Sequence, residues 1–124
     1  MSTAVETERA IERVVHSVAY ILDAGEYDRM GEVFHADVLF SNPGRLEAQG
    51  LATLIERFRG IANPARSHAN SNVVVTLVDE RTATSVCKAH TVRSDGEVAP
   101  AEYRDVLTLT DEGWRILERR IRPL

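Results

Sequence analysis

Three ionisable residues lie among side chains that are mostly apolar. Asp23 lies at the end of a predicted helix, beside its apolar stripe, and His68 and His90 lie in Val- and Thr-rich segments typical of strands. A carboxylate that binds one ring nitrogen of a histidine fixes the tautomer and leaves the other nitrogen free to remove a proton. The pattern predicts an Asp23–His68 dyad, with His90 as a second proton carrier or hydrogen-bond donor.

Each of these residues also has a structural interpretation. An aspartate at a helix end often points into water, and a single histidine on a strand is more often a half-buried structural residue than a catalytic one. Tyr20 lies three residues before Asp23, where its hydroxyl could donate a hydrogen bond to an oxyanion. Such a tyrosine commonly packs its ring in the core and leaves its hydroxyl in contact with solvent. The sequence leaves both interpretations open.

Other reactive side chains do not form motifs for metal or thiol chemistry. None of the four histidines has the close spacing with carboxylates that is typical of metal sites, so we expect no metal and no other cofactor. Cys87 is predicted to be a small core residue, because strand alternation sends Lys88 to the opposite face. A solvated or salt-bridged surface, divided between two strand faces, is predicted for Arg115, Arg119, Arg120 and Arg122.

A long N-terminal helix must position Asp23. Residues 5–22 place apolar side chains at alternating three- and four-residue steps, the pattern of an amphipathic helix. Thr3 and Glu6 fit a capping box at its start, and Gly25 is a typical residue just past its end. Two shorter helices are predicted, one beginning at Asp28 and one over 51–59, with a short strand at 38–40 between them.

Four strands forming an antiparallel meander are predicted in the C-terminal half. Val and Thr become frequent after residue 64, and breakers rich in Asp and Gly separate the segments 66–78, 82–93, 98–110 and 114–122. Helices followed by hairpin-linked strands indicate an α+β fold with the helices packed on one face of a curved sheet. A sheet wrapped around a long helix tends to leave a cavity, where small-molecule sites form.

Composition narrows the class of protein. A chain of 124 residues with 44% hydrophobic residues and one cysteine predicts a single domain over residues 1–124. The net charge of −4 argues against nucleic acid and anionic membranes as partners. The N-terminus is charged where a signal peptide is apolar, and the longest apolar run is only of strand length, so we expect a cytoplasmic protein without a membrane span.

Several segments resemble the SnoaL-like branch of the nuclear-transport-factor-2-like superfamily. They are 22–28 (LDAGEYD), 34–37 (FHAD), 66–68 (RSH), 103–105 (YRD) and 113–116 (GWRI). The resemblance implies a cone-shaped α+β barrel, in which a curved antiparallel sheet packs against about three N-terminal helices and encloses an apolar pocket. It also implies a homodimer. The side chains expected to contact a substrate are Tyr20, Tyr27, Phe40, Phe58 and Tyr103.

Within this superfamily, the pattern is most similar to scytalone dehydratase and hexachlorocyclohexane dehydrochlorinase. In both, an aspartate at the end of the first long helix pairs with a histidine at the head of a strand, and Asp23 and His68 fall at those positions. His90 matches a second strand histidine of the dehydratase, whereas Leu22 replaces its tyrosine. Ketosteroid isomerase fits less well, because Asn42 stands where that enzyme has its proton-shuttling aspartate.

Two hypotheses of function follow. The first is a cofactor-independent, dehydratase-like lyase or isomerase acting on a small apolar cyclic or polyketide-like substrate, in which His68 removes a proton and Asp23 orients the imidazole. In this hypothesis His90 and Tyr20 donate hydrogen bonds to a carbonyl or leaving oxygen. The second is a module of the same fold that binds a small molecule or assembles with a subunit without catalysis, since this fold supports many functions.

Overall fold

Helical segments precede most of the strands, as the sequence predicts. The computed structural model describes residues 2–124. Helix α1 spans Ala4–Asp23, a 3₁₀ helix spans Tyr27–Glu32, and helix α2 spans Leu51–Arg59. The strands are β1 (Phe34–Asn42), β2 (Leu46–Gln49), β3 (Ser67–Leu77), β4 (Thr82–Val92), β5 (Val98–Thr110) and β6 (Gly113–Pro123).

Helix α1 begins and ends where its capping residues predict. The backbone N–H of Glu6 donates to the Thr3 hydroxyl, and the backbone N–H of Thr3 donates to the Glu6 carboxylate, so the capping box is complete. Gly25 adopts the left-handed conformation, with φ of +67°, just after the helix. The side chains that α1 buries are Ile11, Val15, Val18, Ala19 and Ile21. The helix therefore presents an apolar face to the sheet and carries Asp23 as its last residue.

The strands form one curved sheet in the order β2-β1-β6-β5-β4-β3. Strands β3 to β6 are the predicted antiparallel meander, with ends within one residue of the expected positions. Strand β1 pairs with β6 in parallel, and the outer strands β2 and β3 are not paired to each other. The α+β fold is thus confirmed, with a sheet that is mixed and open rather than wholly antiparallel and closed.

The first half of the chain contains more strand than the sequence indicates. β1 starts four residues before the predicted segment 38–40, and β2 was not predicted. Both strands depend on partners distant in sequence or on a turn, and β2 has only four residues, too few for a clear alternation. Within residues 2–124, no helix is long and apolar enough to cross a membrane.

Candidate active site

A cavity of about 430 Å³ lies between the helical segments and the sheet. This volume is within the range of small-molecule sites, roughly 300–1,000 Å³. Apolar side chains that line it include Leu22, Tyr27, Phe40, Phe58 and Ile121. Polar residues that line it include Asn42, His68, Thr91, Tyr103 and Arg119. The cavity therefore combines apolar walls with polar and charged side chains, which also include Arg45, Arg93 and Asp95.

Asp23 and His68 meet at this cavity. Asp23 Oδ1 lies 2.6 Å from His68 Nδ1, and the two side chains are 27% and 21% exposed, respectively. The backbone N–H of His68 also donates to both carboxylate oxygens at 3.1 Å. Because an ionised carboxylate can only accept hydrogen bonds, Nδ1 carries the proton of the neutral ring and Nε2 remains an acceptor. This arrangement has the geometry that a general base requires.

The fold brings these two residues together across 45 positions of sequence. Asp23 ends α1, which packs against β3, and His68 is the second residue of β3. Because β3 is an outer strand, its backbone groups on the free side need partners from outside the sheet. The Asp23 carboxylate provides such a partner for the His68 N–H, and this contact also fixes the carboxylate beside the imidazole.

Aromatic side chains form one wall of the cavity. Tyr27 stacks on Phe58 with ring centroids 6.1 Å apart, and Phe58 meets Phe40 edge to face at 5.7 Å. Together with Tyr103, these are four of the five residues expected to contact a substrate, and all four line the cavity. Offset and edge-to-face contacts of this kind are favourable and hold rings in place. The wall therefore suits a flat, apolar ligand.

Tyr20 does not reach the cavity. Its side chain is 79% exposed, because Val18 and Ile21 occupy the part of the helix surface that faces the sheet. Proximity to Asp23 by one turn was therefore not sufficient to place Tyr20 in the site. The structure corrects its expected role as an oxyanion donor and substrate contact.

His90 lies on the opposite face of the sheet from His68. It pairs with Ala69 and Pro100, whereas His68 pairs with the neighbouring Thr91. Adjacent residues of a strand point to opposite faces, so Thr91 lines the cavity and His90 is exposed on the outer face. The structure corrects the expected role of His90 as a second proton carrier.

A buried ion pair on the sheet was not predicted. Arg119 Nε and Nη2 donate to Asp105 Oδ1 and Oδ2, both at 2.8 Å, and the side chains are 3% and 0% exposed. Burial lowers the pKa of Arg119, but the charge and hydrogen bonds of Asp105 outweigh this effect, so the pKa is raised. Arg119 therefore keeps its proton at neutral pH. A signal was present in the sequence, because alternation on β5 puts Asp105 on the face of Tyr103 and Leu107, where a carboxylate needs a partner.

Tyr103 lies between this ion pair and the cavity. Its ring centroid is 4.7 Å from the guanidinium carbon of Arg119, a cation–π contact. Burial raises the pKa of the Tyr103 phenol, and the Arg119 charge and a hydrogen bond with Thr91 only partly oppose this. The phenol is therefore neutral at physiological pH and retains its O–H as a donor.

Comparison with known proteins agrees with this architecture. The sequence model of the SnoaL-like domain family matches residues 3–120 of this chain. The chain belongs to the SnoaL-like family. No curated protein sequence matches the SnoaL-like chain at a significant level.

Three of the solved structures similar to this SnoaL-like domain come from Novosphingobium aromaticivorans. A candidate scytalone dehydratase is 25% identical, with a TM-score of 0.81, and the match covers 97% of this chain and 85% of that chain. A candidate aromatic ring hydroxylase is 23% identical, with a TM-score of 0.85 and coverage of 99% and 92%. An NTF2-like protein with a cystatin-like fold is 20% identical, with a TM-score of 0.84 and coverage of 97% and 83%. These likenesses establish the NTF2-like fold.

Proposed function

We propose that this SnoaL-like domain is a cofactor-independent lyase or isomerase that removes a proton from a carbon of a small, mostly apolar cyclic substrate. The Asp23–His68 contact beside an aromatic-walled cavity is the observation that carries the proposal. An imidazole held at Nδ1 by a carboxylate has Nε2 free to act as a base. The similarity to a candidate scytalone dehydratase, at 25% identity, supports a dehydratase-like reaction.

The proposed first step breaks a C–H bond of the substrate. His68 Nε2 takes the proton, Asp23 stabilises the resulting imidazolium, and the electron pair of the carbon forms a C=C bond. In an isomerase, the charge moves to a carbonyl oxygen as an enolate, and His68 returns the proton to another carbon. In a dehydratase, the electron pair expels a β-hydroxyl group, which takes the proton and leaves as water. The two reactions therefore share the dyad and differ in where the charge goes.

Hydrogen–deuterium exchange of 2-tetralone in D₂O tests the shared step, because this two-ring ketone loses a proton next to its carbonyl. ¹H NMR should show that the wild-type protein accelerates exchange above the buffer rate. We expect His68→Gln to lower the protein-dependent rate by a factor of about 10²–10⁴, the usual contribution of a general base.

His90→Gln provides the matched control, because this histidine is exposed on the outer face of the sheet. Its exchange rate should equal that of the wild type. Wild-type protein that fails to accelerate exchange, or a His68→Gln variant that retains the full rate, would contradict the proposal. The first of these results, combined with ligand binding, would favour a binding module of the same fold.

A further inference from the structure

Two arginine side chains line the cavity without a hydrogen-bond partner within residues 2–124. Arg45 lies in the turn between β1 and β2, and Arg93 directly follows β4. The nearest approach of Arg93 to an acid is 3.8 Å, between its Nη1 and Glu97 Oε2, which is longer than a hydrogen bond. A guanidinium has five N–H donors, so both side chains keep donors available for a ligand.

Sheet topology places both arginines at the same end of the sheet as the dyad. β1 and β6 run parallel, so the turn that carries Arg45 lies at the end of β1 that is beside the end of β6. The antiparallel pairings put the end of β4, the start of β5 and the start of β3 at this same end. Since β6 and β5 separate β1 from β4, Arg45 and Arg93 approach the cavity mouth from different parts of the curved sheet.

Arg93 lies close to the dyad along the sheet. Thr91 stands opposite His68 in the pairing of β4 with β3, and it lines the cavity. Arg93 follows Thr91 by two residues, so strand alternation turns its side chain to the same face, roughly 7 Å farther toward the mouth. A ligand group held by Arg93 therefore leaves room for an attached ring to reach His68.

Positive charge predominates among the side chains that line the cavity. Within residues 2–124, three arginines and one acid, Asp95, line it, and one of the three, Arg119, already has Asp105 as its counter-charge. Asp95 Oδ1 accepts the backbone N–H of Glu97, which holds this carboxylate in the turn between β4 and β5. The whole chain has a net charge of −4, so the excess of arginine at the mouth is a local feature and favours an anionic ligand group.

We propose that Arg45 and Arg93 bind a carboxylate of the substrate, which makes the substrate a cyclic carboxylic acid. A guanidinium matches a carboxylate with two parallel hydrogen bonds. The apolar ring then packs on the wall formed by Tyr27, Phe40 and Phe58. The inference rests on the proposed function, because it names the substrate class of the same site. A carboxylate held at the mouth orients the ring so that one carbon faces His68.

Binding of two ligands of the same shape tests this carboxylate site. 2-Naphthoate and 2-naphthamide differ in the charge of one planar group, and the carboxylic acid is ionised at pH 7. Titration followed by ligand fluorescence should show that the wild type binds 2-naphthoate about 10- to 100-fold more tightly, the usual effect of hydrogen bonds to a charged group. Added NaCl should reduce this preference, because the Arg93 side chain is 38% exposed.

Arg45→Gln and Arg93→Gln should each reduce the preference about three- to tenfold, and the double variant should abolish it. The melting temperature should not fall, because neither side chain makes a hydrogen bond within residues 2–124. Arg13→Gln is the matched control for net charge, because Arg13 is exposed on α1 and does not line the cavity. Glu97→Gln should raise the preference, because it removes a carboxylate that competes for Arg93.

Equal binding of the two ligands by the wild type, including no detectable binding of either, would overturn the carboxylate site. An unchanged preference in the double variant, or an equal loss in Arg13→Gln, would do the same. His68→Gln should keep the preference, and its loss there would assign the carboxylate to the imidazole instead. A preference without any exchange of 2-tetralone would refute only the proposed reaction, whereas exchange without a preference would refute only the carboxylate site.

Discussion

Two pairs of an aspartate with a basic side chain each place the basic side chain at the same cavity, and they differ in construction. Asp105 and Arg119 stand opposite each other on neighbouring strands inside the sheet and make two parallel hydrogen bonds out of contact with water. Asp23 and His68 join a helix end to an outer strand through one side-chain contact and a backbone N–H, with about a quarter of each side chain exposed. The first pair is enclosed and the second is accessible.

This difference suits the two pairs to different tasks. Arginine does not lose its proton in proteins, so the Asp105–Arg119 pair supplies fixed charges and oriented donors. Histidine changes charge near neutral pH, and partial exposure allows protons to reach its ring and leave it. In the proposed function the accessible pair transfers the proton, while the buried pair keeps a fixed charge inside the sheet.

The largest expected effect is on stability, in the enclosed pair. Asp105→Asn should lower the free energy of unfolding by about 3–5 kcal/mol, because it leaves the Arg119 charge buried without a counter-charge. Urea unfolding followed by Trp114 fluorescence measures this change. The matched control is Glu118→Gln, which breaks the exposed Glu118–Arg120 pair and should cost about 0–1 kcal/mol. Equal effects of the two variants would remove the distinction between enclosed and exposed pairs.

Alkaline pH should lower the free energy of unfolding through two groups next to the enclosed pair, the Cys87 thiol and the Tyr103 phenol, rather than through the pair itself. Burial raises the pKa values of the Cys87 thiol and the Tyr103 phenol above their ordinary values of 9.0 and 10.0. As pH rises, the unfolded chain therefore loses these protons before the folded protein does. The contribution of the two neutral groups to the free energy of unfolding is complete below about pH 9, and it is lost as pH rises through the folded-state pKa values.

Each of these two groups contributes a slope of at most about 1.4 kcal/mol per pH unit. Urea unfolding at pH 8, 9, 10 and 11 should show the decline, and Tyr103→Phe should make it shallower above pH 10. Identical slopes for the wild type and Tyr103→Phe would mean that the phenol does not titrate differently in the folded and unfolded protein.

The sequence predicted the accessible pair and missed the enclosed one for a geometric reason. Asp23 could be placed from helix periodicity and His68 from the head of a strand, and the family resemblance joined them. Strict alternation from Trp114 along β6 would bury Glu118 and expose Arg119. A register shift after Ile116 reverses this phase, so that Arg119 faces inward. A bulge of this kind is not visible in the residue pattern.

Predictions from neighbouring residues in the sequence also failed for Tyr20 and His90. One helical turn separates Tyr20 from Asp23, but the direction of Tyr20 depends on which neighbours pack against the sheet. His90 sits among residues typical of a strand, yet only the pairing of β3 with β4 decides which face it occupies. The parallel pairing of β1 with β6 likewise joins distant segments, and periodicity contains no information on it.

The smallest expected effect on stability is in the accessible pair. Asp23→Asn should lower the free energy of unfolding by about 1 kcal/mol or less, as for other partly exposed pairs. An asparagine oxygen can still accept the hydrogen bond from the His68 N–H, and loss of a negative charge at the end of α1 relieves its repulsion with the helix dipole.

Urea unfolding of Asp23→Asn and Asp105→Asn compares the two pairs, because each variant replaces the aspartate of one pair with asparagine. The 2-tetralone exchange rate of Asp23→Asn should nevertheless fall well below that of the wild type, because an amide cannot stabilise an imidazolium as a carboxylate does. A loss of stability as large as that of Asp105→Asn, with unchanged exchange, would make the Asp23–His68 contact a structural tie between α1 and β3. A small loss of stability with a large loss of exchange separates proton transfer from folding in this pair, because the fold tolerates the amide and the reaction does not.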